Sequence, residues 1–255
     1  MRFRENEFRL ERPNMKIHVI APIVLDDRRP ASGDEYIRAA RADCEVEVVS
    51  LDRGPASIES EYEEAIAAPD TIVKAKEAEA KGADAVVISC MLDPGIRAAR
   101  ELVSIPVLGP CEVSMHIAAM LGRQFSIITV LDRLLPPLQT LARLYGFSDH
   151  MASIRSINVP VLDLRHGADN IVQALFTESR KALEQDKAEV VILGCTGMAG
   201  MARTIHDKLL NLGYDSPVID PGIAALKMAE ALVEMRLSHS KITYPFPPKK
   251  LVVGY

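Results

Sequence analysis

Short apolar runs alternate with longer amphipathic or Ala-rich stretches along most of the chain. The runs are rich in Val and Ile, which is typical of strands in a parallel sheet that is buried on both faces. The predicted strands are 16–22, 45–51, 85–89, 105–109, 124–130, 152–157, 188–194 and 216–220. The predicted helices are 34–43, two that meet at Pro69 within 59–80, and 93–102, 112–121, 134–144, 171–185, 200–212 and 222–236. This alternation predicts an α/β fold with mainly parallel sheets.

The pattern of strands and helices occurs twice. Residues 83–90 (ADAVVISC) align with residues 188–195 (AEVVILGC), and residues 106–110 (PVLGP) align with residues 217–221 (PVIDP). An internal repeat of this kind predicts two similar units. We therefore expect two Rossmann-like (flavodoxin-like) halves, related by a pseudo-twofold axis, with the ligand cleft between them at the carboxyl ends of the strands.

The repeat also predicts the domain boundaries. We expect a first half that comprises 15–111 and 217–240, and a second half that comprises 112–216. Residues 1–14 are charge-rich and without periodicity, and are expected to be an extension. Residues 241–255 form a tail, Pro-rich and then apolar, that packs either on the body or on another subunit. Residues 28–34 are expected to be a loop that either covers the site or is simply solvated.

Two cysteines follow equivalent strands of the two halves. Cys90 and Cys195 each end an apolar run, so both thiols should point into one cleft from opposite sides. Either cysteine alone fits a small buried hydrophobe, but the equivalent placement of the two favours catalysis. Asp93 is expected to cap a helix that begins at Pro94, and a helix N-terminus near each thiol should lower its pKa. One thiolate and one thiol on opposite faces of a carbon next to a carbonyl can invert that carbon by removing one proton and returning another.

Other residues near the strand ends are candidates for binding the substrate. Thr196 is expected either to cap its helix or to donate to the substrate, and the hydroxyl of Thr129 either reaches the cleft or bonds to backbone. The predicted substrate-binding residues are Pro22, Ile23, Met91, Thr129, Val130, Thr196 and Gly197.

Composition and charge restrict the class of protein. The net charge of −5 argues against a general binder of nucleic acid, which would carry a basic face. No apolar run reaches the ~18–20 residues that a membrane-spanning helix needs. The four cysteines form no C-x-x-C pair, which argues against a disulfide scaffold or a zinc site. We expect a reduced cytoplasmic protein that has no metal site and acts on a small molecule.

Residues 15–236 resemble the aspartate/glutamate racemase superfamily and, within it, the hydantoin racemase branch. The motifs that carry the resemblance are 90–102 (CMLDPGIRAAREL), 105–112 (IPVLGPCE), 121–130 (LGRQFSIITV) and 193–198 (LGCTGM). The resemblance implies a cofactor-independent racemase in which two cysteines act as the acid and the base. It also implies that the helix from about Gly222 packs on the first half, and that the protein is a homo-oligomer.

Two departures from the pattern bear on the substrate. Hydantoin racemases typically carry Asn-Pro-Asn-Thr after the first strand, where this chain has residues 21–24 (APIV), so a less polar pocket is expected. Amino-acid racemases of the superfamily carry Cys-Asn-Thr, where this chain has residues 90–92 (CML). We therefore expect a 5-substituted hydantoin or related cyclic ureide. The alternatives are a cis-trans isomerase, lyase or amino-acid racemase on the same scaffold, and a ligand-binding protein without catalysis.

Overall fold

The computed structural model describes residues 15–25, 33–164 and 168–251. The predicted extension at 1–14 and the end of the tail at 252–255 lie outside the described residues, as do positions 28–32 of the predicted loop at 28–34.

The first half is built on a parallel sheet of four strands. The strands are β1 (Met15–Ala21), β2 (Cys44–Ser50), β3 (Ala85–Ile88) and β4 (Val107–Leu108), in the order β2-β1-β3-β4. The helices between them are α1 (Asp34–Ala39), α2 (Glu61–Ala80), α3 (Ile96–Leu102) and α4 (Pro110–Leu121). Ile17 lies opposite Val46 on one side and Ala85 on the other, which places β1 in the centre of the sheet.

The second half repeats this arrangement. Its strands are β5 (Phe125–Thr129), β6 (Met151–Ser156), β7 (Val190–Leu193) and β8 (Val218–Ile219), in the order β6-β5-β7-β8. Its helices are α5 (Leu135–Leu144), α6 (Ala168–Gln185) and α7 (Met201–Leu210), and the last helix of the chain is α8 (Pro221–Glu234). Each sheet therefore has the same relative strand order, and the predicted α/β fold with two similar halves is confirmed.

The chain crosses back to the first half after β8. Helix α8 packs against β1, β3 and β4, and against α4, which also contacts β7 of the second sheet. Because β8 pairs with β7, the second sheet extends to Ile219, so the predicted boundary at residue 216/217 is too early. Helices α4 and α8 thus join the halves, and all positions of β3 and β7 are buried between covering layers.

The sequence prediction was wrong about Pro69 and about Asp93. Pro69 lies inside the single helix α2 and does not separate two helices. A proline inside a helix costs about 3 kcal/mol, and the packing of α2 on β1 and β3, with Ala67, Thr71 and Ala75 buried, offsets that cost.

Asp93 does not cap α3, which begins at Ile96 after Gly95. Its backbone is left-handed, at φ 47°, and its carboxylate accepts hydrogen bonds from the backbone N–H groups of Cys111 and Glu112 at the N-terminus of α4. Tertiary contact, and not neighbouring sequence, therefore decides which helix Asp93 caps.

The described part of the tail packs on the first half. The ammonium group of Lys241 donates to the backbone carbonyls of Arg100 and Val103, at 2.7 and 2.6 Å, near the C-terminus of α3. The guanidinium of Arg100 lies over the ring of Tyr244 and also pairs with Glu112. The tail thus holds the end of α3 against the start of α4.

A search of the described residues finds no helix with the length and apolar character that crossing a bilayer requires.

Candidate active site

A cavity of about 350 Å³ lies between the two halves at the carboxyl ends of β1, β3, β5 and β7. Its polar wall contains both strand-end cysteines together with hydroxyl groups from each half. The polar side chains that line it are Glu35, Tyr36, Ser89, Cys90, Thr129, Cys195 and Thr196. The apolar wall includes Ala56, Ile58, Leu134, Leu138, Val161, Leu162 and Leu164. A cavity of this size and composition fits a small, largely apolar ligand.

The two thiols have matching surroundings. Cys90 lies two residues after the end of β3, and Cys195 lies two residues after the end of β7. The Sγ atom of Cys90 accepts the backbone N–H of Leu92 at 3.4 Å, and the Sγ atom of Cys195 accepts the backbone N–H of Gly197 at 3.4 Å. Each half therefore contributes one half-buried thiol in the same local geometry.

Burial raises the pKa of both thiols. The pKa of Cys195 is raised to about 11, with the carboxylate of Glu59 contributing, while the N–H of Gly197 lowers it. The pKa of Cys90 is raised further, because burial outweighs the N–H of Leu92, which lowers it. The sequence had suggested lowered values from adjacent helix N-termini, but removing a thiolate from water outweighs one N–H donor. Burial therefore favours the neutral thiol over the thiolate at both positions.

Three hydroxyl groups lie beside the cysteines, and one of them, that of Thr196, connects the halves. The hydroxyl of Tyr36 and the Oγ atom of Ser89 are 2.6 Å apart. The hydroxyl of Thr196 donates to the backbone carbonyl of Ser89 at 3.0 Å, across the cleft. Because the side chain of Cys195, and not that of Thr196, caps the short 3₁₀ helix 196–198, the predicted helix-capping role of Thr196 is wrong.

The structure places all of the predicted substrate-binding residues around the cavity. These lining residues are Pro22, Ile23, Met91, Thr129, Val130, Thr196 and Gly197. Pro22 and Ile23 directly follow β1, and Met91 follows Cys90.

The hydroxyl of Thr129 bonds to backbone, which is the second of the two arrangements that the sequence predicted. Its side chain is 0% exposed, and its hydroxyl donates to the backbone carbonyl of Gly194 at 3.5 Å. Gly194 approaches β5 so closely that a Cβ atom there would lie 2.7 Å from the Cα of Thr129. The hydroxyl of Thr129 therefore bonds to backbone, although the residue is part of the cavity wall.

Sequence reasoning missed Tyr36, Ser89 and the apolar wall of the second half. The polar Ser89 at the end of an otherwise apolar run was the one local signal for this group. Tyr36 gave no such signal, because it reaches Ser89 from 53 residues away in the chain. Nothing in the sequence distinguishes the apolar residues Leu134, Leu138 and Val161 from ordinary core positions.

No group of three or more His, Cys, Asp or Glu side chains suited to a metal ion occurs within 15–25, 33–164 and 168–251.

Comparison with known proteins identifies the fold and the family. The family model described as Asp/Glu/Hydantoin racemase matches residues 33–229, which include the second half, the first half after β1, and both strand-end cysteines. The chain belongs to this racemase family. The chain is accordingly an isomerase of the racemase type.

Relatives of this racemase match it over nearly its whole length. It is 39% identical to a hydantoin racemase from Pseudomonas sp. (strain NS671), over 94% of this chain and 95% of that one. It is 35% identical to a hydantoin racemase from Rhizobium meliloti, over 94% of this chain and 98% of that one. Among solved structures, an allantoin racemase from Klebsiella pneumoniae matches with a TM-score of 0.87 at 36% identity, covering 94% of this chain and 96% of that one.

Proposed function

We propose that this racemase inverts the carbon next to a ring carbonyl of a 5-substituted hydantoin or related cyclic ureide, with Cys90 and Cys195 as acid and base. The observation that carries the proposal is the equivalent placement of the two thiols, one from each half, in the wall of a single cavity. Two acid/base groups on opposite faces of one carbon are what inversion requires.

The reaction balances without a cofactor. One thiol first loses its proton to the solvent, and the resulting thiolate removes the proton from the ring carbon while the electron pair moves onto the adjacent carbonyl oxygen. The opposite thiol then donates its proton to the other face of the carbon, and the carbonyl reforms. The two cysteines exchange protonation states, so each enantiomer uses the opposite cysteine as its base.

The residues that line the cavity favour a substrate with a neutral ring and an apolar substituent. No Lys or Arg is among the residues that line it, and Glu35 is the one charged lining side chain in the described part of the chain. A carboxylate substrate such as a free amino acid would meet no opposite charge there. The relatives named above, hydantoin racemases and an allantoin racemase, also support a cyclic ureide as the substrate.

Proton NMR in D₂O tests the proposal. The protein is incubated with single enantiomers of alkyl and aryl hydantoins, allantoin and amino acids, and the signal of the α-proton is followed together with optical rotation. We expect both signals to be lost with a hydantoin. Cys90→Ser and Cys195→Ser should each lose racemisation by a factor of at least about 100, whereas Cys44→Ser, outside the cavity, should retain it.

Two outcomes contradict the proposal. Full racemisation by either cavity variant would rule out a mechanism with two thiol bases. A covalent adduct on one cysteine, detected by mass spectrometry with an unsaturated acid and without α-proton exchange, would instead support an isomerase or lyase.

A cytoplasmic location and a homo-oligomer stay predictions. Thiols that must remain unoxidised support the first. Apolar side chains exposed near the end of the chain, including Ile242 at 95% and Leu251 at 92%, support the second. Sedimentation velocity at several concentrations tests the oligomer, and a monomer at all of them would contradict it. The absence of a cofactor also stays a prediction, tested by activity after dialysis against a chelator.

A further inference from the structure

We propose that Ser89, held in place by Tyr36, donates a hydrogen bond to the ring carbonyl next to the reacting carbon, while Thr196 accepts one from the adjacent ring N–H. This inference rests on the proposed function and adds to it the groups that recognise the ring and stabilise its enolate. Ser89 is then a catalytic residue, and Tyr36 a positioning residue.

The count of hydroxyl hydrogens shows that the pair has a free donor. Tyr36 and Ser89 have two hydroxyl hydrogens between them, and their mutual hydrogen bond at 2.6 Å uses one. Whichever of the two donates, one hydrogen remains for a third group. Both residues line the cavity, so a ligand bound there can accept this hydrogen.

Burial and chemistry assign the free hydrogen to Ser89. The side chain of Tyr36 is only 4% exposed, whereas Ser89 is half-buried and directly precedes Cys90. A phenol is a stronger acid than an aliphatic alcohol and is the better donor, so Tyr36 donates to Ser89. Gly222 packs against the phenol so closely that a Cβ atom there would lie 2.6 Å from its oxygen, so the ring has little room to move away from Ser89.

Thr196 has the opposite role. A carbonyl oxygen only accepts, so the hydrogen of the Thr196 hydroxyl is committed to the backbone carbonyl of Ser89. The same oxygen can then offer only lone pairs to a ligand. The sequence-based expectation that Thr196 donates to the substrate is therefore replaced by an accepting role.

A donor next to an acceptor matches one edge of a cyclic ureide. In a hydantoin, the carbonyl that activates the reacting carbon is bonded to a ring N–H, so an acceptor and a donor lie side by side. When the proton leaves the carbon, negative charge develops on that carbonyl oxygen, and the hydrogen bond from Ser89 strengthens. Because Ser89 precedes one cysteine and Thr196 follows the other, this edge is held where both thiols can reach the carbon.

Four variants and two altered ligands test the inference. Removing one donor to a developing oxyanion costs about 100- to 1000-fold in kcat, so we expect Ser89→Ala to lose kcat by about 100-fold. Tyr36→Phe leaves the hydroxyl of Ser89 free to rotate and should lose about 5- to 20-fold, mainly in kcat. Thr196→Val should raise KM, whereas Thr196→Ser should retain the wild-type value.

Ser126→Ala is the matched control for Ser89→Ala. Ser126 is a fully buried serine whose hydroxyl pairs with that of Ser153 at 2.7 Å, outside the cavity. It loses the same kind of hydrogen bond, so it should lose thermal stability without the loss of kcat. Equal kcat values for Ser89→Ala and Ser126→Ala would overturn the inference.

Altered ligands separate recognition of the ring from racemisation. 5,5-Dimethylhydantoin has no proton on the carbon that would react, so its binding can be measured by calorimetry on any variant. We expect Ser89→Ala and Thr196→Val each to bind it about 5- to 30-fold more weakly, as the loss of one buried hydrogen bond predicts. Its N3-methyl analogue, which lacks the ring N–H, should bind wild type weakly and show no further loss in Thr196→Val.

The outcomes distinguish the two proposals. If no hydantoin is racemised while these binding differences are observed, the proposed reaction fails and the assignment of the recognition groups stands. If wild type racemises hydantoins and Ser89→Ala does so at the wild-type rate, the reaction stands and this inference fails. Equal binding of 5,5-dimethylhydantoin by all variants would also overturn it.

Discussion

Cys90 and Cys195 occupy equivalent positions in the two halves, each with its Sγ atom accepting the backbone N–H of the residue two further along the chain. The repeated fold therefore places one thiol in each half, and both thiols are buried where the two halves enclose one cavity. Burial opposes catalysis, because the thiolate must act as the base and burial disfavours the thiolate.

The ligand-free protein should accordingly react slowly with alkylating agents near neutral pH. With the pKa of Cys195 raised to about 11, only about one molecule in a thousand carries the thiolate at pH 8. Raising the pH favours deprotonation, so the rate should increase about tenfold per pH unit up to about pH 10. Alkylation by iodoacetamide, followed by peptide mass spectrometry, measures this, with glutathione as the reference thiol. A rate at pH 7 equal to that of glutathione would contradict it.

Glu59 should affect the site through a contact across the cleft. Its carboxylate accepts the backbone N–H of Val161 at 2.7 Å, and its neighbour Ile58 lines the cavity, as does Val161 itself. Glu59→Gln keeps an accepting oxygen and removes a charge that adds to the effect of burial on the pKa of Cys195, so alkylation of Cys195 at pH 8 should become faster.

Glu59→Ala serves as the comparison for the contact itself. It removes the charge and also the hydrogen bond between the halves, so KM should rise about 3- to 10-fold while Glu59→Gln leaves KM unchanged. Steady-state kinetics at one pH separates the two effects. Identical KM values for the alanine and glutamine variants would show that the contact does not support substrate binding.

Tyr145→Phe should destabilise the protein more at high pH than at low pH. Burial raises the pKa of Asp93 to about 7, although the hydroxyl of Tyr145, which donates to it at 2.8 Å, lowers it. Because the folded value lies above the unfolded one, the stability that protonated Asp93 contributes is full below about pH 4 and is lost as the pH rises through 7. Removing the hydroxyl of Tyr145 raises the pKa of Asp93 further. The loss of stability is therefore largest above pH 7, where Asp93 is ionised.

Urea denaturation at pH 5 and pH 9 measures this difference. We expect the free energy of unfolding to fall by about 1 kcal/mol at pH 5 and by about 2–3 kcal/mol at pH 9. Tyr214→Phe, which loses a hydroxyl bonded to Glu184 at the surface, is the control and should show a small change at both values. An equal loss for Tyr145→Phe at both pH values would contradict the assignment of Asp93.

Gly194→Ala should separate β5 from β7. The added Cβ atom would lie 2.7 Å from the Cα atom of Thr129 and 2.8 Å from the carbonyl oxygen of Ile128, and backbone cannot rotate away from it. We expect a loss of about 1–3 kcal/mol in the free energy of unfolding and lower activity, because Cys195 is the next residue. An unchanged melting temperature would show that the two strands tolerate the extra atom.

The sequence by itself determined the alternation of strands and helices, the two similar halves and the position of Cys90 and Cys195 at equivalent strand ends. The sequence determines these features because they depend on local patterns. The apolar periodicity indicates which segments are buried, and the repeat indicates which segments of the two halves are equivalent. Only the tertiary structure decided that Asp93 caps α4, that Tyr36 reaches Ser89, and that Thr196 donates across the cleft. These contacts join residues from 18 to 107 positions apart, and burial by both halves sets the pKa of the thiols, so no local pattern could predict them.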